Sequence, residues 1–502
     1  MRAAIMALAL ALALVPMLPF VARAEGPESG RPLYHFTPPK NFINDPNGLV
    51  YADGEYHLFY QHNPEGDRWG HMSWGHAVSR DLLRWEHLPV ALREENGVMI
   101  FSGSAVFDAK NTSGFGRTDA PPIVAVYTGH SAERQTQNLA SSWDRGRTWT
   151  KFQGNPVVDI GSKEFRDPKV FWHKPTKRWV MATVLADKRQ VRFWQSTDLK
   201  HWEKLSDFGP AGSTKGVWEC PELFEAPVDG SKGETLWVLK VDVNEGAPFG
   251  GSGGQYFVGN FDGTRFQPLE AVGPDTPPRW IDFGKDFYAS QAWNDAPGDR
   301  PVWLAWMNNW QYANEIPTSP WRGAMTVPRR VSLRKLNDGV HLVQTPVEEL
   351  KTLRREARKV GTREIASGDV PLDVSGTALE IIAEFEPGDA EAFGLKVRRG
   401  EGEETVIGVD RRAGEVYVDR TRSGASKFSP HFAGRHAGKL ADGGRVVLHV
   451  LVDVTSVEVF ADGGRVVLTD QIFPKPESRG VSLFAKGGTA RLRSLEAWEL
   501  RP

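Results

Sequence analysis

The sequence predicts an all-β protein, a five-bladed β-propeller over residues 33–340 followed by a β-sandwich over residues 359–502. Two observations predict it. A short turn signature recurs four times at spacings of 54–64 residues, each copy flanked by strand-like runs. After about Val360 the texture changes to alternating strands rich in Arg, Gly and Val, and stays so to Trp498. A chain of 502 residues is also too long for one ordinary core, which agrees with two domains.

The elements follow in order. Arg2 precedes a wholly apolar run, Ala3 to Val15, and Ala22-Arg23-Ala24 is a small-x-small cleavage site. Residues 1–24 therefore read as a signal peptide, which places the mature protein in a secreted or periplasmic location. The competing reading, an uncleaved anchor, is weakened by Pro16 and Pro19, and no other segment is apolar enough to cross a membrane. The four turns are Ser79-Arg80-Asp81 leading to Trp85, Ser142-Trp143-Asp144 to Trp149, Ser196-Thr197-Asp198 to Trp202, and Asn260-Phe261-Asp262 to Phe266. An Asp in this place accepts backbone N–H groups of a tight turn, and the aromatic packs beneath it. Between the turns lie short β-rich runs such as Glu55–Tyr60, Ile123–Tyr127 and Thr235–Leu239. Repeated units of this length suggest propeller blades, although hairpins of a sandwich can share the spacing. The fifth unit, near Trp303–Arg330, lacks a clear turn and is inferred from spacing. Thr345-Pro346-Val347-Glu348 fits a helix start, with Val347, Leu350 and Leu353 on one face, so a linking helix is expected at 341–358. Beyond it, Val457-Glu458-Val459 alternates and Ala461-Asp462-Gly463-Gly464 turns, as in a sandwich.

Composition narrows the function. A net charge of −2 offers no field for nucleic acid. A single cysteine, Cys220, excludes internal disulfides; it reads as a small buried hydrophobe or as a reactive thiol. No stretch has metal-ligand spacing: His-Glu-x-x-His is absent, and His71 and His76 are poorly placed as a pair. No cofactor is expected.

Three carboxylates stand out: Asp45 in Asn44-Asp45-Pro46-Asn47-Gly48, Asp167 in Arg166-Asp167-Pro168, and Glu219 in Trp218-Glu219-Cys220-Pro221. Singly, the first is a turn signal and the second a solvated pair. The repeat frame joins them. Asp45, Asp167 and Glu219 lie 36, 31 and 43 residues before the next turn Asp, and Ser102 in Phe101-Ser102-Gly103-Ser104 lies 42 before Asp144. All four fall near the start of a blade, on the strand that lines a propeller's channel, and so converge at one mouth. Paired carboxylates are what glycosidic cleavage needs: one protonates the leaving oxygen, and the other attacks the anomeric carbon or activates water.

These motifs, in this order, resemble the signatures of glycoside hydrolase family 32, which holds invertases, inulinases and levanases. Tyr288-Ala289-Ser290-Gln291 and Ser456-Val457-Glu458-Val459-Phe460 extend the likeness, which runs from about Tyr34 to Trp498. The resemblance implies a five-bladed propeller with a β-sandwich and a retaining double displacement, in which Asp45 is the nucleophile, Glu219 the acid/base and Asp167 the transition-state stabiliser. It implies that Asn44, Gln61, Trp69, Phe101, Ser102 and Arg166 shape a pocket for terminal fructose; Phe101 stands where many relatives carry Trp. Trp69 and Trp306 are expected to pack on the sugar's apolar faces or else to form the funnel wall. The segments Trp306–Asn314 and Ile316–Arg322 look most like secreted levanases and exo-inulinases. The expected substrates are fructans and sucrose. A sucrose-preferring invertase, an endo-acting or biose-releasing or transfructosylating relative, and a non-catalytic fructan binder share much of the pattern.

Overall fold

Residues 41–346 form five β-sheets, each a meander that runs outward from an inner strand. The structure, a computed structural model, describes residues 30–117, 119–299, 301–441 and 444–502; the expected signal peptide lies outside the described residues. The five inner strands are Asn41–Ala52, Met99–Phe107, Phe165–His173, Trp218–Pro227 and Tyr288–Ala292. Each pairs antiparallel with the strand that follows it. The inner strands adjoin one another in a closed ring, first to second and so on back to the first, which is the arrangement of a five-bladed propeller. Closure is reinforced by Trp321–Arg322, from a long connection within the fifth blade, which pairs in parallel with Asn41 and Phe42.

The strands form because their apolar residues must be buried on both faces. Phe193, Trp218, Leu239 and Val241 fill the space between the third and fourth blades, and Val126, Leu139, Val170 and Met181 that between the second and third. Burying each such side chain contributes about 1.5–3 kcal/mol. The recurrent Asp performs the same task in four blades. The Asp81 carboxylate accepts the N–H groups of Leu83 and Arg84, Asp198 those of Lys200 and His201, Asp262 those of Thr264 and Arg265, and Asp144 that of Thr148. The residue after each Asp is left-handed: Leu82 (φ 67°), Arg145 (59°), Leu199 (63°) and Gly263 (92°). These N–H bonds, two to the carboxylate in three of the blades and one in the other, hold Leu82, Arg145 and Leu199 in a conformation that costs them free energy.

The fifth blade uses another device, which is why no turn signature marks it. Its second and third strands, Val302–Trp306 and Arg329–Leu336, are separated by a long connection, and the outer hairpin to Gly339–Pro346 turns at Asn337-Asp338.

The linker departs from the expected helix at 341–358. The last propeller strand continues to Pro346, a six-residue 3-10 turn spans Glu348–Leu353, and the strand Arg354–Val360 already belongs to the sandwich. Thr345 caps nothing; Val347 occupies the cap position in an extended conformation without a side-chain bond. Val347, Leu350 and Leu353, all buried, recur every three residues, and a 3-10 turn aligns that period better than an α-helix does.

The sandwich packs two sheets over a core that includes Ile381, Phe385, Leu395, Ile407, Leu448 and Leu483. Buried charge joins it to the propeller. Arg329 pairs with Asp282 at 3.1 Å and with Glu458 of the sandwich; Glu458 also accepts the Val327 N–H at 2.9 Å and contacts His35 at 2.7 Å. His35 reaches Asp453 at 2.8 Å. Farther along, Arg420 pairs with Asp286 and bonds to Tyr312.

Burial disfavours charge on His35, but its bonds to Asp453 and Glu458 prevail and hold it at about 9. Burial would raise Glu458, yet Arg329 and His35 hold it at about 2. The raised His35 stabilises the fold fully below its ordinary 6.5 and loses that contribution as pH rises through about 9. The depressed Glu458 stabilises it above 4.5 and loses that contribution as pH falls through about 2. The melting temperature should therefore fall on both sides of a plateau, and Glu458→Gln should lower the plateau and flatten the acid limb. An acid limb of unchanged slope in a pH series of thermal melts would show that this contact does not govern it.

Candidate active site

All five inner strands break register at one level. Between Ile43 and Pro46, Phe101 and Gly103, Arg166 and Lys169, Glu219 and Glu222, and Tyr288 and Gln291, each holds one residue more than the strand beside it. Such a bulge re-aims side chains and bends the strand. Asp167 (φ 62°), Cys220 (47°) and Ala289 (55°) are left-handed there. Proline follows the bulged residue in Asp45-Pro46, Asp167-Pro168 and Cys220-Pro221; lacking an N–H, it suits an interrupted ladder. The layer of bulges turns Asp45, Ser102, Asp167 and Glu219 toward one another.

Cys220 stands at the centre of the cluster. It follows Glu219 in the chain, its N–H donates to Asp167 Oδ2 at 2.9 Å, and its thiol lies 3.4 Å from Asp45 Oδ2. Burial, with Asp45 and Asp167 adding to it, pushes the thiol well above its usual value, so it is a protonated donor to Asp45. Asp45 accepts two further bonds, from Ser102 Oγ at 2.6 Å and from Asn44 Nδ2 at 3.0 Å. Arg166 Nη2 donates to Glu219 Oε1 at 3.2 Å, while its Nη1 reaches Glu164 at 2.6 Å and Gln135 at 3.3 Å. The Tyr288 hydroxyl donates to Glu219 Oε2 in a short bond. Thr128 Oγ1 accepts the Asp167 N–H at 2.9 Å.

The remaining residues singled out from sequence divide. Gln61 is buried and donates to the Ile100 carbonyl at 3.0 Å, bracing the strand that carries Ser102. Phe101 lies flat on His130 with ring centres 4.2 Å apart, and Trp69, 42% exposed, meets Phe101 edge-on. These two form a rim. Trp306 offers no face to a ligand: it is 0% exposed, packed among Phe42, Tyr288 and Trp310, and so serves as wall, one of the two roles expected for it. Tyr288 and Lys240 were not singled out as site residues. Tyr288 opens the one blade whose turn is unmarked, so the repeat frame could not place it. Lys240 sits in Thr235–Val243, which reads as an ordinary strand.

Below the carboxylates the channel closes. Beneath Pro46, Ser102, Asp167 and Cys220 lies a void of about 10 Å³, the size of one water. Two buried ion pairs, Lys240 with Asp242 and Lys169 with Glu222, fill the next layer. A larger cavity of about 720 Å³, lined by Trp172, Trp237, Trp293 and the Lys169–Glu222 pair, lies at the opposite ends of the inner strands, away from the carboxylates. Among the described residues no His, Cys, Asp and Glu side chains group so as to hold a metal ion.

The model of the glycosyl hydrolases family 32 N-terminal domain matches residues 35–346, and that of the family's C-terminal part matches 349–499. The chain is 50% identical over 487 residues to a levanase of Bacillus subtilis (strain 168), covering 94% of this chain and 71% of that protein. It is 40% identical to an extracellular exo-inulinase of Aspergillus awamori, over 91% of this chain and 92% of the other. The crystal structure of an exo-inulinase from the same fungus superposes with a TM-score of 0.89 at 38% identity, covering 95% and 99% of the two chains.

Burial pushes the Asp167 carboxyl up to about 7; Arg166 opposes this, while Glu219 and Asp45 add to it. Ionising Asp167 in the folded protein therefore costs stability, a cost that begins above the ordinary 3.8 and is complete above about 7. Asp167→Asn should melt at a higher temperature than the wild type at about pH 8, with the gain vanishing as pH falls toward about 4. A difference in melting temperature that does not vary with pH would refute this assignment.

Proposed function

The chain belongs to glycosyl hydrolase family 32, and from that membership and the geometry of its site we propose that it is a retaining fructan β-fructosidase that releases terminal fructose from levan and inulin and also cleaves sucrose. It is a glycosidase, and the relatives compared above are named for levan and inulin. One observation supports the assignment of roles above all: Cys220 joins the three carboxylates, Glu219 by the peptide bond, Asp167 through its N–H and Asp45 through its thiol. An acid, a nucleophile and a third carboxylate are thereby held in fixed relation.

Asp45, oriented by Ser102, Asn44 and Cys220, attacks the anomeric C2 while Glu219 gives its proton to the leaving oxygen. The covalent fructosyl–Asp45 ester is then opened by a water whose proton returns to Glu219, and configuration is retained. Arg166 and Tyr288, one on each Glu219 oxygen, hold that carboxyl in place. Asp167 accepts bonds from ring hydroxyls as charge develops at C2. The buried Asn44 Oδ1 has no partner in the protein and suits a sugar hydroxyl as donor.

The closed channel supports action at chain ends. The space under the carboxylates admits one water and no sugar, so a fructosyl unit enters from the open mouth and only a terminal one fits. Export agrees with a polymeric substrate; the related Aspergillus proteins are named as extracellular, and no helix among the described residues is long and apolar enough to cross a membrane.

Asp45→Asn and Glu219→Gln should each lower kcat on sucrose by about 10³-fold or more. The Glu219→Gln deficit should shrink on an aryl fructoside, whose leaving group needs little protonation; equal deficits on both would remove Glu219 from the acid role. Chromatography of early products from levan and inulin should show fructose alone, and early oligosaccharides would instead indicate an open cleft.

A further inference from the structure

Lys240 is fully buried on the second strand of the fourth blade, directly opposite Glu222 in the ladder, while Asp242 stands opposite Glu219. Its ammonium takes no part in the chemistry described above, yet it makes three contacts just beneath it. It donates to the carbonyl of Cys220 at 2.9 Å, to the carbonyl of Ser290 at 2.7 Å, and to the Asp242 carboxylate. The two carbonyls belong to two different bulges. Cys220 is the left-handed residue next to Glu219; Ser290 follows the left-handed Ala289, which itself follows Tyr288. Neither bulge has a ladder partner at that point, because the extra residue lifts it off the neighbouring strand.

We propose that Lys240 is the positioning residue of the acid/base: by gripping the carbonyls of Cys220 and Ser290 it locks the bulges of the fourth and fifth blades together, and so sets Glu219 against the Tyr288 hydroxyl. The inference rests on Glu219 being the acid/base. An ammonium suits this place because one group must donate to two carbonyls and to Asp242, three bonds that its three protons supply and a single hydroxyl proton cannot. Asp242 is required because an ammonium without a counter-charge is costly at this depth. Asn44, Ser102 and Asp167 make no direct bond to Lys240; Asp167 is linked to it only through the Cys220 peptide, whose N–H it accepts, so ground-state binding of the sugar should change less than proton donation does.

The test replaces both members of the pair, Lys240→Met with Asp242→Asn, so that neither charge stays buried alone, and compares kcat and KM on sucrose and on p-nitrophenyl β-D-fructofuranoside. A displaced acid should cost about 10- to 100-fold in kcat on sucrose, whose leaving group needs its proton, and less than about 3-fold on the aryl fructoside, with KM on both nearly unchanged. Should this double variant not fold, Lys240→Gln with Asp242→Asn, which keeps a donor for the carbonyls and buries no lone charge, carries the same comparison and should show the same selectivity to a smaller degree. Equal losses on the two substrates, or no loss, would overturn the positioning role. A wild-type protein inactive on both would overturn the fructosidase reading and the inference with it.

Discussion

A closed ring of five strands has an electrostatic problem at its centre. Over most of its length each inner strand pairs on one side only, and its other edge faces the channel with N–H and C=O groups that need partners. Here side chains supply them. Asn47 accepts the Gly103 N–H, Ser104 bridges Pro168 and Val170, Gln291 bonds to both Leu49 and Gly103, and Asn294 spans Ala105 and Val170. Lys169 reaches the Ala292 carbonyl. The channel is thus polar of necessity, and each of these bonds ties one blade to another. The bulges occur in this setting, where interrupted ladders already find side-chain partners. Carboxylates at such a level are crowded and rigidly held, conditions that push Asp167 up and aim all three at a common point.

The sandwich contributes no residue to the carboxylate cluster, yet its attachment bears on the whole molecule. Arg329 and Arg420 are fully buried and find their counter-charges across the seam, in Glu458 for the first and in Asp286 for the second. Removing one partner of such a pair costs about 3–5 kcal/mol, because a charge is left without solvent or counterion. Either domain alone would expose or strand several of these groups, so the two halves behave as one cooperative body. Asp286, two residues before the inner strand of the fifth blade, and Tyr312, in the connection between that blade's second and third strands, take part in this seam, so stability at the seam is coupled to the position of the fifth blade.

Much of this was legible from sequence because turns and bulges both have local chemistry. An Asp two residues after Ser or Asn, with an aromatic beyond, marks a hairpin that four blades use; the spacing of those marks placed Asp45, Ser102, Asp167 and Glu219 on one kind of strand. The fifth blade escaped because its outer turn, Asn337-Asp338, is a plain tight hairpin. The linker was misread as a helix because a Thr-Pro-Val-Glu start suits an α-helix by local preference, while the apolar period of three that decides for a 3-10 turn spans only Val347 to Leu353. Of the groups that hold Glu219, Arg166 was legible, but Tyr288, 69 residues away, and Lys240, which acts through backbone carbonyls and so leaves no trace in residue type, were not. Trp306 carries the composition of a sugar platform but is buried, and only the packing of Phe42 and Trp310 against it reveals that.

The plug of ion pairs beneath the carboxylates has a consequence for the order of events in a turnover. A site with one mouth empties in the reverse order of filling. On the proposed double displacement, the shortened polymer stands between the bound fructosyl group and solvent, so it must depart before water can reach the ester and before fructose can diffuse out. The enzyme therefore cannot slide along a chain from one cut to the next. Each encounter removes a single unit and ends, and a population of long fructans is eroded evenly, many ends at a time, rather than consumed one molecule after another.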